Sequence, residues 1–205
     1  YMNESLELIL EGAAIDDVEK AATRCGMPMG PITLFDVVGI DVCIHAGLVM
    51  YEAFPDRMVG GNPLPTALYK AGRMGQKTGA GFFSYKDKRG RGTPDPWTEN
   101  LIAEKRRSQT KFTREQLTER MFLPMLLEAT RVLEEKLVRA PRDVDLGLIY
   151  GIGFPPFKGG LLFWADTLGA AKILEMLKPY EPLGKRYEPT GLLREMAAGG
   201  KKFYD

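Results

Sequence analysis

The second half of this 205-residue sequence repeats its first half. Asp36-Val37-Val38-Gly39 is answered by Asp166-Thr167-Leu168-Gly169, and Gly81-Phe82-Phe83 is answered by Lys202-Phe203-Tyr204. Three further pairs keep the same order: residues 1–11 with 125–135, Gly26-Met27-Pro28 with Gly153-Phe154-Pro155, and Pro65-Thr66 with Pro189-Thr190. A generic likeness between helix–loop–helix segments is the alternative, but matches in one order favour duplication. We therefore expect two similar domains.

The second copy also predicts how the first one begins. Thr113-x-x-Gln116 forms a capping box, and the apolar residues that follow it recur at helical spacing, so a long helix is expected to start near Thr113. By this comparison Tyr1 falls inside a helix. We expect the first helix to be truncated and the chain to be part of a longer polypeptide.

Helical patterns run through most of the chain. Asp16 and Glu19 have the spacing of a capping box, and Gly30-Pro31 opens the next helix with proline at its first position. The segment from Ile32 to Met50 is apolar almost all round, which predicts a helix in the middle of a core. Phe82 to Tyr85 is expected to be a short extended piece that docks aromatic rings.

These patterns predict an all-α fold with two tandem, similar helical domains. We place the first domain at residues 1–85, a polar linker at 86–112 and the second domain at 113–205. The linker is assigned by composition, because Lys, Arg, Asp and Glu alternate there around Pro94, Pro96 and Trp97.

Composition excludes several classes of function. The chain has 28 Lys and Arg against 27 Asp and Glu, so its charge gives no general attraction to nucleic acid or anionic membranes. No apolar run has the length of a membrane span, and no signal peptide is visible. Cys25 and Cys43 lack C-x-x-C spacing, and His45 is the only histidine, so no metal site is expected. We expect both thiols to be reduced and buried, and His45 to be buried and structural.

Two glycine-rich segments resemble nucleotide loops only in part. Gly75-Gln76-Lys77-Thr78-Gly79 does not follow the order of a phosphate-binding loop, and a turn is expected there. Gly151-x-Gly153 lacks the third glycine and the leading strand of a dinucleotide fingerprint. Nothing in this chain is expected to bind NAD by itself, and no catalytic residue is assigned.

The corner from Gly26 to Asp36 is the most unusual segment. Its glycines and prolines fix a tight turn between two helices, and Met29 offers a deformable apolar surface. Burying Asp36 on an apolar helix would be costly unless the carboxylate is hydrogen-bonded, which implies a backbone or cationic partner nearby. From these residues alone, the corner either only turns the chain or receives an acyl chain or a neighbouring domain.

At this corner the sequence resembles a known family. P-M-G-P-x-x-L-x-D-x-x-G-x-D from Pro28 to Asp41, together with Gly75 to Phe83, is similar to the C-terminal helical domain of 3-hydroxyacyl-CoA dehydrogenases. Residues 1–12 resemble that domain's first helix. Two tandem copies look like the end of the α-subunit of the multifunctional fatty-acid β-oxidation complex.

The resemblance implies hydride transfer from C3 of a 3-hydroxyacyl-CoA to NAD. It places the catalytic His–Glu pair and the NAD site on a Rossmann domain that would precede Tyr1, and a substrate-binding Asn a few residues upstream. Five residues match positions that face the substrate in the family: Pro28, Met29, Gly30, Pro31 and Leu34. The second copy departs from this motif and is expected to pack on the first as a pseudo-dimer.

The resemblance also implies an acyl-CoA substrate, the Rossmann domain of the same polypeptide as a partner, and allows a thiolase subunit as another. It implies a cytoplasmic location in a bacterium or an organellar one in a eukaryote. The runner-up is a helical scaffold or dimerisation module that never contacts acyl-CoA. A third reading, nucleic-acid binding through the basic residues between Lys86 and Arg107, is disfavoured by the near-neutral charge.

Overall fold

The structure is a computed structural model that describes residues 1–86 and 92–204. Its α-helices are α1 Met2–Leu10, α2 Ile15–Cys25, α3 Pro31–Val38, α4 Ile40–Ala53, α5 Pro63–Lys70, α6 Pro96–Lys105, α7 Arg114–Glu134, α8 Pro141–Ile152, α9 Leu161–Leu168, α10 Ala170–Leu177 and α11 Gly191–Gly199. Within the described ranges, extended backbone pairs only in isolated bridges between residues 75 and 93. The all-α prediction is confirmed.

The helices gather into two compact units. The first comprises Tyr1–Thr23 and Met29–Thr118, and the second comprises Arg24–Pro28 and Glu119–Asp205. Each unit has its own buried apolar residues, such as Leu8 and Ile32 in the first and Leu126 and Ile173 in the second. Burial of such side chains is the main favourable contribution to folding in each unit.

A carboxylate holds an aromatic segment in each unit, here called the closing segment, at residues 81–85 in the first unit and 202–204 in the second. In the first unit, Asp36 on α3 accepts hydrogen bonds from the Phe82 and Phe83 N–H groups at 2.8 and 2.9 Å. In the second, Asp166 on α9 accepts from the Phe203 and Tyr204 N–H groups, both at 2.9 Å. The residues that the sequence pairs as copies therefore make the same bonds.

Asp36 is the more buried of these two carboxylates. It is 1% exposed, and the Tyr85 hydroxyl donates a third hydrogen bond to it at 2.9 Å. Burial raises the pKa of Asp36, although the bonds from Phe83, Phe82 and Tyr85 counteract part of that increase. The expected partner for the buried carboxylate is present, and the Phe82 ring packs 5.8 Å from Phe35.

The prediction of one buried helix from Ile32 to Met50 is wrong. Gly39, with φ of 104°, ends α3 and precedes α4, and the chain bends by 103° between the two helices. A positive φ of this kind suits glycine, which explains why the break falls there. Ile32 and Ile40 are buried, but the second half of α4 is not, since Leu48 is 56% exposed and Val49 53%.

Three other side chains also depart from expectation: His45 and Cys43 on α4, and Cys25 on α2. His45 is exposed, so the prediction of a buried structural histidine is wrong. Cys43 and Cys25 are free thiols but only half-buried. Burial, with the nearby Asp41 and Asp36 carboxylates, raises the pKa of Cys43 to about 11. Burial also raises the pKa of Cys25.

Part of the predicted linker is a helix. Asp95 caps α6 by accepting a hydrogen bond from the Trp97 N–H at 2.9 Å, and Pro96 occupies the first turn. Thr98, Leu101 and Ile102 are buried. The cap and the proline are helix-start signals that the charged composition obscured. Residues 87–91 of the predicted linker lie outside the described residues.

No single helix in the described parts of the chain has both the length and the apolar character of a membrane span. The bent α3–α4 pair meets that criterion only when its two helices are taken together.

Replacing Asp36 with Asn should destabilise the protein. The amide keeps one acceptor but directs N–H groups at donors, leaving a buried polar group unsatisfied at a cost of about 1–3 kcal/mol. Asp166→Asn is the matched control, and it should cost less because Asp166 is half-exposed and water can reach it. Urea unfolding of both variants measures the difference. Equal losses would show that burial of Asp36 is not what makes its bonds important.

Candidate functional site

The beginning of α3 is capped by a side chain from another helix. Glu19 on α2 accepts hydrogen bonds from the Ile32 and Thr33 N–H groups at 2.7 and 3.2 Å, and from the Thr33 hydroxyl. These N–H groups belong to the first turn of α3, where they have no partner within the helix. The predicted capping box of Asp16 with Glu19 is therefore wrong. Asp16 instead forms an exposed ion pair with Lys20.

Gly30 leaves the space that the Glu19 carboxylate fills. A Cβ added at Gly30 would lie 2.2 Å from Glu19 Cδ. The second unit has the same arrangement, since Asp145 accepts from the Leu162 and Phe163 N–H groups, and a Cβ on Gly160 would lie 2.2 Å from Asp145 Cγ. In both places an acid on one helix fixes the start of the next because the intervening glycine has no side chain.

The turn at Gly75–Gly79 packs against the backbone of Asp36 on α3. A Cβ on Gly75, whose φ is +93°, would lie 2.2 Å from the Asp36 carbonyl oxygen. Residues Gln76–Thr78 form a 3₁₀ turn, and Lys77 pairs with Asp41 at 2.7 Å. The segment is therefore a structural turn, as its sequence predicts.

A cleft of about 1050 Å³ opens beside the corner in the first unit. Met29 and Gly30 line it, together with Phe82 and Phe83 of the closing segment and Ile102 of α6. The volume is that of a small-molecule site. The cleft combines apolar side chains with the Glu19 cap, so one region of the surface holds both a shaped apolar cavity and a fixed helix start.

The five predicted pocket residues do not act as one group. Met29 and Gly30 line the cleft, whereas Pro31 is buried at the first position of α3 and Leu34 is half-buried away from the lining. Pro28 is exposed and belongs to the second unit, where its Cγ would lie 2.9 Å from a Cβ on Gly153. The prediction thus located the cleft from one side only.

Several cleft residues were missed because they lie in the predicted linker. They are Gly92, Thr93, Pro94, Asp95, Thr98, Glu99, Ile102 and Arg106. Asp95-Pro96, a cap residue followed by proline, could have identified the helix that carries Thr98, Glu99 and Ile102.

Charges around the cleft are mostly negative. The lining includes the carboxylates Asp16, Glu19, Asp95 and Glu99 and the cations Lys20 and Arg106. Burial would raise the pKa of Asp95, but hydrogen bonds from Ser84, Arg73 and the Trp97 N–H, with the Arg73 charge, together hold it below its usual value. Asp95 is therefore ionised, and its charge is compensated by the ion pair with Arg73.

The described residues do not fit a dinucleotide. Residues 1–86 and 92–204 contain no strand longer than a bridge, so they lack the strand, glycine loop and helix that bind a pyrophosphate. In the same ranges, no three His, Cys, Asp or Glu side chains come close enough together to hold a metal ion.

Comparison with known proteins gives consistent results. Residues 1–85 match the family described as 3-hydroxyacyl-CoA dehydrogenase, C-terminal domain. The chain is 41% identical over its full length to a fatty acid oxidation complex subunit alpha from Pseudomonas aeruginosa (strain LESB58). It spans 29% of the length of that relative.

Two solved structures have similar folds. A 3-hydroxybutyryl-CoA dehydrogenase from Escherichia coli superposes with a TM-score of 0.74 at 18% identity, over 98% of this chain and 59% of that one. At this identity the likeness shows the fold alone. The dehydrogenase part of multifunctional enzyme 1 from C. elegans gives 0.70 at 26% identity, over 95% of this chain and 45% of that one.

Gly30→Ala should be destabilising, by about 1–3 kcal/mol, because the new methyl group overlaps the Glu19 carboxylate and forces α2 and α3 apart. Gly47→Ala in α4 is the control: a Cβ there meets nothing within 4 Å, and alanine should stabilise the helix by about 0.5–1 kcal/mol.

A double-mutant cycle tests the cause of the Gly30→Ala loss. In a Glu19→Ala background, where the carboxylate is gone, Gly30→Ala should cost much less. Additive losses in thermal unfolding would rule out the steric explanation.

Proposed function

We propose that the chain is the substrate-side helical part of an NAD-dependent 3-hydroxyacyl-CoA dehydrogenase in fatty-acid oxidation, because residues 1–85 match the family described as 3-hydroxyacyl-CoA dehydrogenase, C-terminal domain. One observation carries the proposal: Met29 and Gly30, from the motif that resembles the family's substrate-facing segment, line a cleft large enough for a small molecule. In this proposal the cleft receives the acyl group.

The chemistry of the cleft supports an acyl group more than a phosphate. Apolar side chains, including Met29, Val37 and Phe82, line it, whereas four of its six charged residues are acidic. Transfer of a hydrocarbon chain from water into such surroundings is favourable. We therefore propose that the CoA nucleotide lies outside this cleft.

The reaction itself is proposed to depend on groups outside this chain. A Rossmann domain of the same polypeptide would hold NAD and supply a His–Glu pair. The bound NAD would accept the hydride from C3 of the substrate. This chain contributes orientation: Glu19 and Asp36 fix α3, and α3 fixes the corner that contacts the acyl group. Orientation of this kind lowers the entropic part of the barrier.

Further parts of the proposal concern organisation. We propose two similar helical domains at residues 1–85 and 113–205 that pack as a pseudo-dimer. From the family resemblance we also propose that Pro28, Pro31 and Leu34, which do not line the cleft, face the substrate in the complete protein. A thiolase subunit is an additional proposed partner. The relatedness to a Pseudomonas protein favours a bacterial, cytoplasmic setting.

The alternative is a helical scaffold or dimerisation module. The exposed apolar side chains of α4, among them Leu48, Val49 and Met50, favour it, because a surface of this kind often contacts another protein. A scaffold would not respond to acyl-CoA, and this difference separates the two proposals.

The isolated chain should produce no NADH when mixed with a 3-hydroxyacyl-CoA and NAD, because the proposed catalytic base and cofactor site lie elsewhere. Absorbance at the NADH band measures this directly. The complete dehydrogenase serves as the positive control. Turnover by the isolated chain would overturn the assignment of roles.

Met29→Ala in the complete dehydrogenase should raise KM several-fold for a long-chain 3-hydroxyacyl-CoA, since apolar contact with the substrate is lost. Met50→Ala, an exposed methionine on α4 outside the cleft, is the matched control and should leave KM unchanged. Steady-state kinetics of both variants decides between the proposals. If Met29→Ala changes only thermal stability, the scaffold explanation is the better one.

A further inference from the structure

Helix α6 contributes to the cleft although it lies outside the residues that match the family. The match covers residues 1–85, whereas α6 spans Pro96–Lys105. Thr98, Glu99 and Ile102 of α6 line the cleft, as does the preceding Thr93-Pro94 turn. The cleft is therefore built from the family domain on one part of its wall and from an added helix on another.

A polar network fixes α6 to the family domain. The Arg73 guanidinium donates twice to the Gly81 carbonyl, at 3.2 and 3.1 Å, and forms an ion pair with Asp95. The Thr98 hydroxyl donates to the same carbonyl at 3.3 Å. The Arg73 guanidinium also lies 4.7 Å from the centre of the Trp97 ring. Because Arg73, Asp95 and Thr98 are largely buried, α6 has a defined position against the closing segment.

The closing segment is fixed in turn to the corner. Asp36 of α3 holds the Phe82 and Phe83 N–H groups, and Glu19 holds the first turn of the same helix. Hydrogen bonds, together with short stretches of backbone, thus connect the α6 wall to the Met29–Gly30 wall. A ligand in the cleft meets two walls whose separation is set by the fold.

The apolar side chain that α6 adds to the lining is Ile102, and it is buried. Ile102 is 6% exposed and lines the cleft, whereas its neighbour Leu101 is 8% exposed and does not. The Thr98 hydroxyl is already bonded to Gly81. Glu99 is an exposed carboxylate of the same wall, so Ile102 is the α6 side chain that offers hydrocarbon contact to the alkyl part of a substrate.

We propose that α6, through Ile102, is the wall that limits the length of the acyl chain accepted by the cleft. This inference rests on the proposed function and adds to it a determinant of specificity from outside the family domain. A longer acyl chain would have to extend past Met29 and Gly30 towards this helix, so the volume at position 102 decides how many carbons fit. Contacts of this kind typically discriminate by a factor of about ten or more per methylene group.

The test compares chain-length preference in the complete dehydrogenase. Ile102→Trp should lower kcat/KM for a sixteen-carbon 3-hydroxyacyl-CoA by about tenfold or more while that for a four-carbon substrate is retained. Ile102→Ala should shift the preference towards longer substrates, because removing the larger side chain leaves more room for carbons. Calorimetric titration of the same acyl-CoAs gives an independent measure of binding.

Leu101→Ala is the matched control, because it truncates an equally buried side chain of the same helix that does not line the cleft. It should lower thermal stability and leave the ratio of long-chain to short-chain kcat/KM unchanged. If Ile102→Trp fails to fold, the ratio for Ile102→Ala against Leu101→Ala decides the question. Equal effects of the two alanine variants on that ratio would overturn the inference.

The outcomes also separate this inference from the proposed function. If Met29→Ala raises KM while both Ile102 variants keep the normal chain-length ratio, the cleft binds acyl-CoA and α6 does not limit it. If neither position affects kinetics or binding, the proposed function fails and the inference fails with it.

Discussion

The buried Asp36 carboxylate is the interaction on which the first unit depends. Three donors from the closing segment converge on it, namely the N–H groups of Phe82 and Phe83 and the hydroxyl of Tyr85. A carboxylate with so little exposure is tolerable only because these bonds replace its hydration. These bonds add to the isolated bridges of the segment and to the bonds that Arg73 and Thr98 donate to the Gly81 carbonyl. The bonds to Asp36 hold the Phe82 ring against Phe35 in the core. They also position the Gly81 carbonyl, which accepts a hydrogen bond from Thr98 of α6.

Much of the fold could be predicted from the sequence because its signals are local. Proline at the start of α3, the capping box at Thr113 and the apolar spacing of α7 all depend on neighbouring residues, and the structure contains each of them. The need for partners at Asp36 also follows from one residue's chemistry. Asp166, which the repeated pattern pairs with Asp36, accepts two equivalent backbone hydrogen bonds, from the Phe203 and Tyr204 N–H groups.

The errors arise where distant residues decide the outcome. Glu19 has the spacing of a local cap, but its carboxylate is drawn to α3, whose free N–H groups lie thirteen residues further along the chain. The apolar composition of α4 predicted burial, yet burial depends on what packs against a helix, and the second half of α4 is exposed. The cleft wall on α6 was hidden by charged neighbours. Sequence reasoning thus identified one side of the candidate site and missed the side that comes from tertiary contact.

The space shared by Gly30 and Glu19 has a consequence for how this protein can change over time. Since a carboxylate fills the place of a missing Cβ, the two positions cannot vary independently: any larger residue at 30 first requires a shorter one at 19. The same restriction applies to Gly160 and Asp145. Among descendants of this sequence, acid and glycine should be inherited together or lost together, as a linked pair within each unit.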